Sequence, residues 1–147
     1  MTTIAYNHKE GVVAFDSRLT AGWTIISDDY DKSFLIGDDI FIWTGAHADV
    51  HKFKNKFPNF NDGENLDCRG ILIRDEKAHL FTFEGGKYIE CELEYSYSIG
   101  SGSDHAYTAM DFGATAEEAI LATIKRDLAT GGKVNRISVI RDKELPL

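Results

Sequence analysis

Position 2 of this 147-residue chain is a threonine directly behind a methionine. Methionine ahead of a small side chain is normally trimmed, and Thr2 would then carry a free α-amine next to its own hydroxyl. Such an amine has an unperturbed pKa of about 7.7–8.0, so a useful fraction is neutral near pH 7 and can take a proton. A hydroxyl is a weak nucleophile until a base adjoins it; here one residue supplies both, directly or through a water. Many chains begin Met-Thr, so the pairing gains weight only from what surrounds it.

Other residues offer chemistry of their own. Asp16 and Lys32 form a carboxylate–ammonium set whose plain reading is a surface ion pair worth about 0–1 kcal/mol. His47 and His51 stand four apart in a stretch that reads as helix, a spacing that can bring two imidazoles to one metal, although no HExxH glutamate accompanies them. No metal and no cofactor is expected. Gly100-Ser101-Gly102-Ser103 could cradle a phosphate at a helix start, but no Lys-Ser/Thr follows, and a turn into a helix is the plainer reading. Asp28-Asp29-Tyr30-Asp31 reads as a solvated turn, and Asp62-Gly63-Glu64 lacks a complete calcium loop. Phe81, Phe83, Tyr95 and Tyr97 alternate as strand residues do and read as packing.

Short β segments must position the first of these residues: TIAY, GVVAF, TIIS, KSFLI and IFIW, separated by turn signals at Gly22 and Gly37-Asp38-Asp39. After Gly45 the period changes, and residues 46–57 read as a helix ending before Pro58, with FPNFNDGEN as a loop. A second β set follows, CRGILIR, KAHLFTFE, KYIECELE and YSYSI, in the manner of a hairpin meander. Residues 103–112 read as a helix. Thr115 with Glu118 forms a capping box leading into AILATIKRDLA, which Gly131-Gly132 ends, and VNRISVI closes the chain as a strand.

Composition narrows the classes. Hydrophobic residues at 43% can fill one core, and with no linker or repeat the expectation is a single domain over residues 1–147. A net charge of −8 without a basic block argues against nucleic acid. No apolar run approaches the roughly 18 residues of a membrane span, and MTTIAYNHKE has no basic segment followed by an apolar one, so a cytoplasmic protein that does not meet a membrane is expected. Cys68 and Cys91 read as two free thiols.

Asp16-Ser17-Arg18-Leu19-Thr20-Ala21-Gly22 resembles the DSRxTAG segment of catalytic proteasome β subunits. Lys32 follows at family-like spacing, and Gly45-Ala46-His47-Ala48-Asp49 resembles the family's GxxAD. Gly100-Ser101-Gly102-Ser103 is similar to its GSGS, and Arg126-Asp127-Leu128-Ala129-Thr130-Gly131-Gly132 to its RDGxSGG. Nearly the whole chain is touched by the resemblance, which extends to the bacterial heat-shock ring protease of the same family.

The resemblance implies an α+β, four-layer αββα sandwich of the N-terminal-nucleophile hydrolase type and a threonine peptidase acting through an acyl-enzyme on Thr2. It gives Lys32 the role of lowering the hydroxyl pKa, Asp16 that of holding Lys32, and the Gly45 N–H that of oxyanion donor. Ser101 and Asp127 would orient the α-amine and its water, with Thr130 standing where the family has serine. His47 would line the pocket for the substrate residue before the cut, with Leu19 nearby and Trp43 at its base; Thr20 and His47 would pair through their backbones with an extended peptide or unfolded protein. A homo-oligomeric ring and an ATP-dependent unfoldase are the implied partners. Between Asp49 and Ser101 the chain is shorter than in that family and lacks much of the paired central helices that help join stacked rings. With no propeptide, maturation is expected to need only removal of Met1. The alternatives are a non-catalytic scaffold of the same fold and an amidase for small molecules.

Overall fold

The computed structural model describes residues 2–140. Met1, on whose removal the reading of Thr2 depends, lies outside them.

Two antiparallel sheets stack face to face. The first holds β1 (Thr3–Asn7), β2 (Val12–Phe15), β10 (Tyr97–Gly100) and β11 (Asn135–Ser138) in the order β10-β1-β2-β11. The second is a meander of β5 (Ser33–Ile36), β6 (Asp39–Gly45), β7 (Cys68–Arg74), β8 (Lys77–Glu84) and β9 (Lys87–Glu92), each paired with the next. A separate two-stranded hairpin, β3 (Leu19–Ala21) and β4 (Thr24–Ser27), projects from the body. The helices are α1 (His47–Lys56), α2 (Ser103–Asp111) and α3 (Ala116–Ile124).

Strand alternation assigns the layers, because successive side chains point to opposite faces. Ile4, Tyr6, Val13 and Phe15 of the first sheet meet Ile42, Ile71 and Ile73 of the second in the central core. The other face of the first sheet presents Ala5 and Ala14 to Ala106, Ala116, Ala119 and Ile120, so α2 and α3 approach it closely through small side chains. The other face of the second sheet packs Phe41, Trp43, Leu72 and Phe81 against Val50 and Phe53 of α1. These are the four layers of an αββα sandwich. The outer layer beyond the meander contains α1 alone among the described residues, which is where the sequence runs short.

Two details depart from the sequence reading. Leu19–Ala21 is a strand, paired with Thr24–Ser27 through a bulge at Leu19/Thr20. The last helix stops at Ile124 instead of running on toward Gly131, with the Arg126 and Asp127 N–H groups both turned back onto the Thr123 carbonyl. The chain turns because Asp127 accepts from the Ala129 N–H at 3.2 Å and from the Thr130 hydroxyl at 2.6 Å, local bonds that compete with helix. The capping box at Thr115 and Glu118 forms as read.

Candidate active site

Antiparallel pairing gathers the candidate residues at one end of the sandwich. β1 starts where β2 and β10 end, since Ile4 lies opposite Phe15 and Thr3 opposite Gly100. Thr2, Asp16 and Ser101 therefore leave the first sheet side by side. In the second sheet β5 starts near where β6 ends, and the Trp43 N–H donates to the Lys32 carbonyl at 3.0 Å, extending the ladder to Lys32. Lys32 and Gly45 thus emerge at matching ends of neighbouring strands.

Asp16 and Lys32 join the two sheets there. Lys32 Nζ lies 2.9 Å from Asp16 Oδ1, and the residues are 1% and 0% exposed. The surface-pair alternative is overturned: this is a buried ion pair. Burial is tolerable because Asp16 also accepts from the N–H groups of Thr3 at 3.2 Å, Arg18 at 3.3 Å and Gly131 at 2.9 Å. Burial disfavours the ammonium and lowers the Lys32 pKa from its ordinary value, while the charge and hydrogen bond of Asp16 oppose the shift. One carboxylate oxygen, Oδ1, thereby holds both the Lys32 ammonium and the backbone beside Thr2.

Thr2 is 3% exposed, and its carbonyl accepts from the Ser101 N–H at 2.9 Å. That contact requires glycine next door: Gly100 has φ +109°, and a Cβ there would lie 1.8 Å from the Thr2 carbonyl oxygen. A Cβ on Gly102 would stand 2.6 Å from Thr3 Oγ1 and 2.2 Å from Thr123 Cγ2. The GSGS stretch is therefore a close approach of two backbones followed by the start of α2.

On this side Asp127 is the hub. Its Oδ2 accepts from Ser101 Oγ at 2.6 Å and from Thr130 Oγ1 at 2.6 Å. Partial burial pushes the Asp127 pKa up, but the bonds from Ser101, Thr130 and the Ala129 N–H, with the nearby His105, outweigh it and hold the carboxyl below its ordinary value. The chain Thr2 to Thr3 runs between the Asp16–Lys32 pair and this Ser101–Asp127–Thr130 set. The Thr2 carbonyl bonds the Ser101 N–H and the Thr3 N–H bonds Asp16, so both sets of residues meet the chain at this point.

Gly45 ends β6 at φ +135°, and a Cβ there would meet the Asp67 carbonyl at 2.1 Å. The residues expected to meet substrate fall into two groups. Trp43 is buried, its ring 6.2 Å from that of Tyr30 and 6.3 Å from that of His47, and the Tyr30 hydroxyl lies 2.9 Å from His47 Nε2. Leu19 and Thr20 sit on β3, and Thr20 lines a groove with Asp127. His51 meets His47 edge to face, with 4.9 Å between ring centroids.

Three participants escape the sequence reading. Arg18 spans Asp28, at 2.8 Å and 3.1 Å, and the Leu128 carbonyl, at 2.9 Å. It tethers the end of the β3–β4 hairpin to the Asp127 turn, and its place inside DSRxTAG was the available signal. Thr3 bonds Thr130, a contact across the whole chain that no spacing announces. Tyr30 orients His47 from a segment that reads only as an acidic turn.

No protein-family model and no curated protein matches the chain. Its structure is similar to that of BPH from Thiobacillus denitrificans, with a TM-score of 0.73 and 18% identity over 92% of this chain and 96% of that one. Eukaryotic HslV from Trypanosoma brucei gives 0.71 and 21% identity over 92% and 98%. The same Thiobacillus BPH in complex with epoxomicin gives 0.68 and 18% over 92% and 97%. The chain has a proteasome-like αββα fold, an architecture of the kind seen in HslV and BPH. Among the described residues no helix is long and apolar enough to cross a membrane.

Proposed function

We propose that the chain is a threonine peptidase that hydrolyses peptide bonds through Thr2 once Met1 is removed. The observation that supports the reading is that the Thr2–Thr3 backbone bonds Ser101, a partner of Asp127, on one side and Asp16, the buried partner of Lys32, on the other. The Thr2 amine takes the proton from Oγ1 as the oxygen adds to the substrate carbonyl, with Lys32 stabilising the developing alkoxide. The oxyanion is received by the Gly45 N–H, a donor type worth about 10²–10³ in rate. Collapse passes the proton to the leaving amine and leaves an ester on Thr2. Water, deprotonated by the same amine, then hydrolyses the ester and regenerates the hydroxyl.

His47 and Trp43, with Leu19 and Thr20 on the hairpin, are proposed to hold the peptide. Epoxomicin occupies the Thiobacillus relative of the same fold, which supports a peptide-shaped site here. We assign the protein to a homo-oligomeric ring in the cytoplasm, supplied with unfolded chains by an ATP-dependent unfoldase.

Intact mass with and without a peptide epoxyketone, a reagent that needs a hydroxyl and a free α-amine on one residue, tests the reading. One adduct on the Met1-free protein is expected. A folded, Met1-free protein that takes no adduct would be a scaffold of this fold.

A further inference from the structure

Next to Asp127 lies an open groove of about 750 Å³. One wall is the β3–β4 hairpin, with Thr20, Trp23 and Ile25; the other is the turn after α3, with Asp127, Leu128 and Ala129 and with Arg126 at its margin. Trp23 is 94% exposed and Leu128 77%. Large apolar side chains standing together in water mark a surface that something covers. A volume of this size, apolar in its walls with a few polar groups, lies within the range of about 300–1,000 Å³ typical of ligand sites.

Two observations identify the occupant. Asp127 belongs both to the groove and to the hydrogen-bonded set beside Thr2, so whatever fills the groove reaches the reacting end of the sandwich. Arg18 fixes the width, because its guanidinium bonds Asp28 just beyond β4 and the Leu128 carbonyl on the opposite wall. An extended peptide lying on the hairpin sends alternate side chains to opposite sides. One set can face Tyr30 and His47, while the other meets Trp23, Ile25 and Leu128.

We propose that this groove is a second side-chain subsite for the peptide, selecting a large apolar residue at a position other than the one held against His47. The proposal rests on the peptidase reading above and adds a specificity that Trp23 and Leu128 supply.

Capped tetrapeptides that differ at one position at a time, Leu or Phe against Asp, test it with Met1-free wild type, Leu128→Ser and Trp23→Ala. Both variants change exposed side chains and should fold. At one position the apolar residue should lower KM at least about tenfold, the scale that an apolar pocket supplies. Each variant should shrink that preference, with the loss in KM rather than kcat. Calorimetric binding of the same peptides to Thr2→Ala should show the same ranking without hydrolysis. Cleavage whose preferences are unaltered in both variants would overturn the subsite and leave the peptidase standing. Ranked binding to Thr2→Ala, lost in Leu128→Ser, with no cleavage by wild type would uphold the subsite and overturn the peptidase. Trp23 emission already shielded from quencher in peptide-free protein would mean that another copy of the chain fills the groove, and the proposal would fall.

Discussion

Thr130 Oγ1 lies 2.7 Å from Thr3 Oγ1 and 2.6 Å from Asp127 Oδ2. An ionised carboxylate only accepts, so the Thr130 proton points to Asp127 and Thr130 must accept from Thr3. Thr3 in turn accepts from the Gly102 N–H at 3.1 Å. Three donors therefore run in one direction toward Asp127, and the second of two adjacent threonines is committed to structure. Its neighbour, Thr2, carries the proposed chemistry.

Thr3→Val keeps the shape and removes that relay. The buried Gly102 N–H then loses its acceptor, at a cost of about 1–3 kcal/mol. The expected outcome is a lower Tm with the epoxyketone adduct still formed, whereas Thr2→Ala should give no adduct at near wild-type stability. Mass spectrometry and a thermal melt separate the two. An adduct on Thr2→Ala would remove Thr2 from the mechanism.

Lys32→Met should abolish turnover and also destabilise the protein. Asp16 would keep its three N–H donors but lose its counter-charge inside the fold, and breaking a buried pair costs about 3–5 kcal/mol. The Lys32 pKa is lowered in the folded state, below the unfolded value of about 10.4. Between those two values the unfolded chain binds more protons, so the Lys32 contribution to stability rises as pH climbs through the interval. NMR of ¹³C-labelled lysines should show one resonance titrating below the rest and missing from Lys32→Met. A Lys32 resonance that titrates with the exposed lysines would contradict the burial argument.

Asp127 behaves in the opposite sense. Its folded pKa is lowered, so its stabilising contribution is present above the unfolded value of about 3.9 and is lost as pH falls through the folded value. Ser101→Ala deletes one of the bonds responsible and should raise the Asp127 midpoint. The acid limb of activity should move to higher pH with it. Carboxyl NMR and a pH–rate profile on the same variant check both; a midpoint that stays put would show that Ser101 does not tune Asp127.

Much of this was legible in the sequence, for physical reasons. Hydrophobic alternation located most strands, and the Thr115–Glu118 capping box fixed a helix start to the residue. The motif spacing named Asp16 and Lys32. It could not reveal that they are buried, since burial depends on how the ends of two sheets stack. The β3 strand was missed because Leu19–Ala21 is only three residues long, too short for alternation to show, and is half-buried to exposed. The end of α3 was misplaced because helix propensity through Leu128 and Ala129 loses to side-chain bonds that Asp127 makes with Ser101 and Thr130, one of them far away in sequence.

Arg18 provides a last test of that turn. Its guanidinium bonds both Asp28 oxygens and the Leu128 carbonyl, and a Cβ on Gly131 would lie 2.4 Å from its Cζ, so the side chain is laid flat over the turn that carries Asp127 and Thr130. A planar fork makes these bonds and an ammonium cannot, so Arg18→Lys should behave nearly as badly as Arg18→Gln. The Arg18–Asp28 pair is exposed to solvent and screened, so the effect on global stability should be small. The loss should be local: faster amide exchange at Ala129, Thr130 and Gly131 while the amides of β6 and β7 keep their protection. Turnover should fall chiefly through kcat, because Asp127 and Thr130 lose their fixed position relative to Thr2. Full activity in Arg18→Lys would show that charge alone suffices and that the clamp geometry does not matter.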